Sequence, residues 1–331
     1  MALPFIDITA PTHQEAFYQL GKKLRAKILR RNNIRRQIFG TKYTYLCRVA
    51  TAWYRLVEKT YPLYFQELKS LAQGANCPTK EILLANCSDI FDTKTTNHCS
   101  SVVVKIGQHY YLAHNEDESS PDYQHDAYRY YLKIKEDQSC YQGLGMCRSL
   151  IGASVSISNH LVQFVNTLTP TQVTAGIPRN IISRLILDCQ TPSEVKQQLT
   201  SLKRASSYHH TLFFYRLNKK YSLEYAQNQL CLRLIKNNFF HTNHFITYLK
   251  KKNNYTSPSS LIRYAMIKKN INTIKRLDDL KKLMANSEKE PNGISRPQTI
   301  YSVIIKDNLK NNLFSPHRPV KIEDYEKWTL K

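Results

Sequence analysis

Cys99 stands where a polar run, Thr93-Lys94-Thr95-Thr96-Asn97-His98, gives way to a strand-like stretch, Ser100-Ser101-Val102-Val103-Val104-Lys105-Ile106. A second such stretch, His109 to Asp117, follows the pair Gly107-Gln108. Two β-rich runs parted by a Gly-X pair predict a hairpin with a tight two-residue turn. Ile106 then faces His109, and counting outward sets Cys99 opposite Glu116, with Asp117 next to it. Cross-strand partners lie about 5 Å apart. A thiol is therefore expected beside two carboxylates and two histidines, His98 and His114, which is the outline of a nucleophile with acid and base groups at hand. A cysteine next to three valines also reads as a small buried hydrophobe, so the rest of the chain must decide.

The 331 residues suffice for one large domain or two ordinary ones, and 42% of them are apolar, enough for a sizeable core. No run approaches the roughly 18 apolar residues of a membrane span. The start, Met1-Ala2-Leu3-Pro4-Phe5-Ile6-Asp7, lacks the basic and apolar blocks of a secretory signal. Eight cysteines are scattered without a Cys-x-x-Cys pair, so free thiols in a reducing cytoplasm are expected, with no metal and no cofactor.

The formal charge of +23 concentrates in two places. Lys22 to Arg36 holds eight basic residues, and residues 216–286 hold fifteen Lys and Arg against Glu224, Asp278 and Asp279. Such charge attracts nucleic acid or an anionic surface. Both regions nevertheless show helical spacing, which makes solvated faces of them, and no nucleic-acid recognition motif accompanies the charge.

The elements that position Cys99 follow from periodicity. The first ninety residues read as helical: His13 to Phe39 with apolar Phe17, Leu20, Leu24, Ile28 and Leu29, then Tyr43 to Thr60, a helix after Pro62 closed by Gly74, and another over Glu81 to Asn86. Beyond Cys99 come short strand runs, Tyr130 to Ile134, Leu161 to Val165 and Thr211 to Tyr215, with helices over Pro178 to Cys189 and from the capping pattern Thr191-Pro192-Ser193-Glu194. Ser260 to Ala285 reads as one long helix, and Thr299 to Ile305 with Leu313-Phe314 as a closing hairpin. The division expected is a helical segment over 1–98 and a mixed α+β unit over 99–331.

Several blocks now bear on one family. Tyr61-Pro62, Glu67-Leu68, Ala72-Gln73-Gly74-Ala75, Ile82 to Asn86, His98-Cys99-Ser100, His114-Asn115-Glu116-Asp117, Gly176-Ile177-Pro178-Arg179 with Arg184, His241 to Phe245, and Ser295-Arg296 occur in that order. In these blocks, over roughly residues 60–320, the chain resembles the acyl-coenzyme A:6-aminopenicillanic acid acyltransferases, a group of cysteine Ntn-hydrolases. The resemblance implies a four-layer αββα sandwich and a precursor that cuts itself before Cys99. Cleavage frees the α-amino group, which serves as local base for the thiol. The thiolate attacks an acyl carbonyl, and water or an amine then takes the acyl group from the thioester. By resemblance Asn243 supplies an oxyanion amide and Asn166 another. Asp117 orients the amino group, and Arg296 balances it or binds a substrate carboxylate.

Strand alternation places Glu116, not Asp117, on the face of Cys99, so a bulge or a strand end is expected there. His241 and His244, in a His-x-x-His pattern without a third ligand nearby, are read as pocket wall rather than zinc ligands. Self-cutting members commonly carry glycine before the cysteine, whereas this chain has His98. The expected substrate is a small acyl amide or thioester, with no membrane partner and two self-derived fragments after processing. The competing class is a basic nucleic-acid- or anion-binding protein that keeps the fold without processing.

Overall fold

The computed structural model describes residues 3–87, 99–118, 121–169, 173–251, 253, 256–289, 291–316 and 319–331. In chain order the elements are β1 (Phe5–Ala10), α1 (His13–Phe39), α2 (Lys42–Thr60), α3 (Pro62–Ala75), α4 (Thr79–Asn86), β2 (Cys99–Ile106), β3 (His109–Asp117), β4 (Ala127–Ile134), β5 (Cys140–Met146), β6 (Ser156–Ile157), β7 (Leu161–Leu168), α5 (Arg179–Asp188), α6 (Pro192–Thr200), β8 (Ser207–Phe214), β9 (Lys219–Ala226), β10 (Gln229–Leu234), β11 (Phe239–His241), α7 (Pro258–Asn270), α8 (Leu277–Met284), β12 (Thr299–Lys306), β13 (Asn312–Ser315) and β14 (Glu326–Trp328). The larger sheet runs β1-β4-β5-β6-β7-β8-β9-β10 and the smaller one β11-β2-β3-β12-β13-β14.

Apolar side chains fall into clusters that match the layers. Val103 of β2 and Leu112 of β3 point between the sheets, where they meet Phe164, Phe213 and Val303. Their neighbours Val102, Val104 and Ala113 point the other way, onto Ile267 of α7 and Leu280 and Leu283 of α8. That reversal is the period-two alternation of a strand buried on both sides. On the far face of the larger sheet, Leu20 and Leu24 of α1, Leu68 of α3 and Ile182 of α5 cover Leu132 and Leu212. The order is helices, sheet, sheet, helices: an α+β fold with four αββα layers. No helix among the described residues is long and apolar enough to cross a membrane.

Three elements differ from the sequence reading. Phe5–Ala10 is a strand, not part of a helical segment, and pairs in parallel with β4, Ile6 against Tyr130 and Ile8 against Leu132. Its partner lies more than a hundred residues away in sequence, so no local turn signal announces it. Gly74 lies inside α3 rather than closing it: a Cβ there would sit 1.9 Å from the Tyr18 carbonyl of α1, while Asn76, at φ 54°, makes the left-handed cap. The expected long helix over 260–285 is broken into α7 and α8. Ile271–Thr273 tighten into a 3₁₀ turn, and Asp279 accepts hydrogen bonds from the N–H groups of Lys275 (3.1 Å) and Arg276 (2.9 Å) to start the second helix.

Part of the basic run in α1 is ion-paired, Arg31 from a buried position and Arg30 and Arg36 from exposed ones. Arg30 and Arg31 pair with Asp126, and Arg36 with Glu81. These residues dock the helix layer onto the chain beneath it, so that fraction of the charge is not a free anion-binding face.

Candidate active site

Cys99 opens β2 and pairs with Glu116 across the hairpin, in the register counted from the turn. Residues 99, 101 and 103 face the space between the sheets, and 100, 102 and 104 face α7 and α8. The thiol therefore enters one polar environment while its main chain touches another.

On the thiol side, Cys99 Sγ donates to Glu116 Oε1 at 3.4 Å. Glu116 Oε2 accepts from Tyr301 OH (3.4 Å) and from Ser154 Oγ, and meets His114 Nε2 at 3.2 Å. The chain continues through His114 Nδ1 to Ser101 Oγ at 2.9 Å, which donates to Asn166 Oδ1 at 2.6 Å. His209 Nδ1 stands 3.3 Å from the same oxygen. Every member is buried. Burial, followed by the charges of Glu116 and Asp117, holds the Cys99 thiol pKa well above its ordinary value, against the pull of a hydrogen bond from the Asp117 backbone.

On the main-chain side, the Cys99 N–H donates to Asn243 Oδ1 at 2.8 Å, and the Cys99 carbonyl accepts from Arg263 Nη1 at 2.6 Å. Arg263 also donates to Ser100 Oγ (2.8 Å) and to Asn243 Oδ1 (2.7 Å). Asn243 Nδ2 donates to the Thr167 carbonyl at 2.9 Å, and an amide nitrogen carries a second N–H that can serve an oxyanion. Asp117 lies on this second face. Its Oδ1 accepts from Thr299 Oγ1 (2.6 Å), and Oδ2 stands 3.1 Å from Arg296 Nε. Burial raises the Asp117 pKa, opposed by the charges of Arg296 and Arg263. Burial likewise lowers Arg263 to about 10. The irregularity expected near Asp117 falls on the opposite strand, where β12 slips register between Thr299 and Tyr301. That slip sets Thr299 against Asp117 and Tyr301 against Glu116.

The structure thus brings Cys99, Asp117, Asn243 and Arg296 around one strand end. Asn166 sits in the row behind Ser101, with its buried Nδ2 unbonded among the described residues. His98 and the His98–Cys99 bond lie outside the described residues. His241 and His244 are buried and hydrogen-bonded to partners away from Cys99. His241 Nε2 bonds Glu224 Oε1 at 2.9 Å while its ring stacks on His209 at 3.5 Å, and His244 Nδ1 meets Ser260 Oγ at 2.8 Å. Their ring nitrogens turn to different partners, which removes them as a metal pair.

Arg263 was not singled out by sequence, although a signal existed. Ser259, Arg263 and Ile267 fall at i, i+4, i+8 on the buried face of α7, and an arginine on such a face requires acceptors inside. Ser154 and Tyr301 carried no comparable local sign. A cavity of ≈ 130 Å³ opens beside this centre, lined by Glu116, Ser154 and Thr167 at one part and by Arg148, Arg179 and Asn180 at another.

A family model, acyl-coenzyme A:6-aminopenicillanic acid acyl-transferase, matches residues 104–315, well over half of the chain. The match begins on β2 just after Cys99 and contains Asp117, Asn166, Asn243 and Arg296. Among curated proteins none matches the chain. The chain belongs to this acyltransferase family, and membership implies acyltransferase activity.

Proposed function

We propose that the chain is a cysteine Ntn amidohydrolase or acyltransferase that acts through a Cys99 thioester on a small acyl amide or acyl thioester. The observation that carries this reading is the double hold on Cys99: its thiol against Glu116 (3.4 Å) and its main-chain nitrogen against Asn243 Oδ1 (2.8 Å). A nitrogen held in that way needs only the loss of the peptide bond before it to become a positioned base.

The sequence of events begins with attack of Cys99 Sγ on the His98 carbonyl carbon. The acyl group moves from nitrogen to sulfur, and water hydrolyses the thioester, leaving the His98 carboxylate and a free Cys99 amine. In the processed enzyme the amine takes the thiol proton, sulfur attacks the substrate carbonyl, and the amine returns the proton to the leaving nitrogen or thiol. Asn243 and Arg263 hold the nitrogen and carbonyl of Cys99 so that the thiol meets the substrate in one orientation. Arg296 and Asp117 form the charged floor beneath them.

Intact mass and a denaturing gel test the first half. The expected result is two fragments, Met1–His98 and Cys99–Lys331, with Cys99→Ala leaving one chain and no turnover. A chromogenic acyl amide, quenched with acid, tests the second: an acyl mass on the Cys99 peptide is expected. An uncut chain with full amidase activity, or turnover in Cys99→Ala, overturns the reading. Strongly salt-sensitive nucleic-acid binding without any acyl adduct would favour the basic binding protein instead.

A further inference from the structure

Cys99, His114 and Glu116 offer a sulfur, a nitrogen and an oxygen that all lie within 4.8 Å of one another, and all three residues are buried. We propose that these three side chains form a Zn²⁺ site, whose occupation takes the Cys99 thiolate out of acyl transfer. Capture of the metal rests on this geometry alone, and only the block of catalysis rests on the thiol chemistry proposed above.

Four features favour the ion. The first is spacing. Ligands placed tetrahedrally at zinc bond lengths stand about 3.3–3.6 Å apart. The Cys99 Sγ–Glu116 Oε1 distance is 3.4 Å and the His114 Nε2–Glu116 Oε2 distance 3.2 Å, on the two oxygens of one carboxylate, and with one ligand atom of each residue within 4.8 Å of the others the three side chains need only draw together around an ion. The second is the donor set, because thiolate, imidazole and carboxylate are all zinc ligands.

The third is the state of His114. Ser101 Oγ donates its single proton to Asn166 Oδ1 (2.6 Å), so at the 2.9 Å contact with His114 Nδ1 the ring must donate. The imidazole is thereby fixed with Nε2 turned toward Glu116, in the way that a metal-binding histidine is oriented from behind. Ser154 and Tyr301, both bonded to Glu116 Oε2, would orient the carboxylate in the same manner. The fourth is access and charge. Glu116 and Ser154 line the cavity, so the carboxylate end of the site is open toward it. Thiolate and carboxylate together balance the two positive charges of the ion.

The binding step balances as follows. Zn²⁺ enters and the Cys99 Sγ proton passes to solvent as the S–Zn bond forms, while the lone pairs of His114 Nε2 and the Glu116 carboxylate form the N–Zn and O–Zn bonds. No oxidation occurs. Three protein ligands with an open position are the arrangement of catalytic zinc sites, but here one ligand is the nucleophile of the proposed acyl transfer, so the bound ion inhibits.

Co²⁺ titration of the full chain in thiol-free buffer tests the site. The expected result is a sulfur-to-cobalt charge-transfer band that saturates near one equivalent and is displaced by Zn²⁺. Cys99→Ser, a conservative change checked for native circular dichroism, should lose the band. Ser101→Ala should retain it with affinity lowered about 10–100-fold, because only the support of His114 is removed. Zn²⁺ binding by the unaltered chain should release the Cys99 thiol proton. A band that persists in Cys99→Ser, no band at all in the native chain, or binding without proton release overturns the proposal. A Cys99-dependent band in a chain that transfers no acyl group supports the metal site while counting against the thiol mechanism, so the two readings fail separately.

Discussion

Two of the buried ionic clusters among the described residues differ in how completely their members are paired. In the helix layer, Glu67 of α3 receives Arg184 of α5 through two hydrogen bonds, Nε to Oε2 at 3.1 Å and Nη2 to Oε1 at 2.8 Å. His13 Nδ1 joins Glu67 at 2.8 Å, and Asp188 accepts from Arg184, from Tyr64 OH (2.9 Å) and from Tyr141 OH (2.8 Å). Around Cys99, by contrast, two buried arginines, 263 and 296, stand near Asp117. Asp117 Oδ2 and Arg296 Nε are ion-paired at 3.1 Å without a hydrogen bond of good geometry, and the Asn166 amide nitrogen has no partner among the described residues. A closed network of matched donors and acceptors fixes how layers dock. An open one, with its thiol and carboxylate pKa values displaced by burial, keeps donors and charges available for a reacting group.

The comparison breaks most sharply at Glu67. Glu67→Ala leaves the fully buried Arg184 with only Asp188 as its acid partner among the described residues, and removing one member of such a pair costs about 3–5 kcal/mol. Urea unfolding should show this loss. A change below about 1 kcal/mol would mean that the helix layer does not depend on its cluster.

Asn243→Ala probes the other side. It frees both the Cys99 nitrogen and one contact of Arg263, and misplacing a reacting group by about 1 Å costs about 10²-fold in rate. Turnover of processed enzyme should fall by about that factor, with a stability loss of about 1–3 kcal/mol from the unsatisfied groups, smaller than at Glu67. Normal turnover would remove Asn243 from the site.

The smallest effect concerns pH. Burial lowers the His13 pKa, but the hydrogen bond and charge of Glu67 together with the bond to Asp137 outweigh it, so the folded value lies above 6.5. A group whose folded pKa is raised adds stability that is complete below the unfolded pKa and is lost as pH rises through the folded one. Tm should therefore decline as pH rises above about 6.5, and His13→Gln should flatten that decline. An identical slope in the variant would show that another group sets it.

Much of the fold was legible because its signals are local. The Gly107-Gln108 turn sets the β2–β3 register and hence the Cys99–Glu116 pair, and the apolar period of α1 marks its limits at His13 and Phe39. The cap of α3 was misplaced because Gly74 serves packing against Tyr18 rather than chain reversal, and one residue type does both jobs. The break between α7 and α8 was missed because charged and apolar residues continue at helical spacing through Ile271–Thr273.

By itself the sequence determined the α+β class, the hairpin that carries Cys99, and the residues that suggest thiol chemistry, since each depends on neighbours within a few positions. Tertiary structure alone decided that β1 joins β4, that Arg263 from α7 grips the Cys99 carbonyl, and that Ser154 and Tyr301 close around Glu116. Those contacts join segments separated by tens to hundreds of residues. Only when the sheets pack face to face does burial make an unpaired polar group costly enough to select among them.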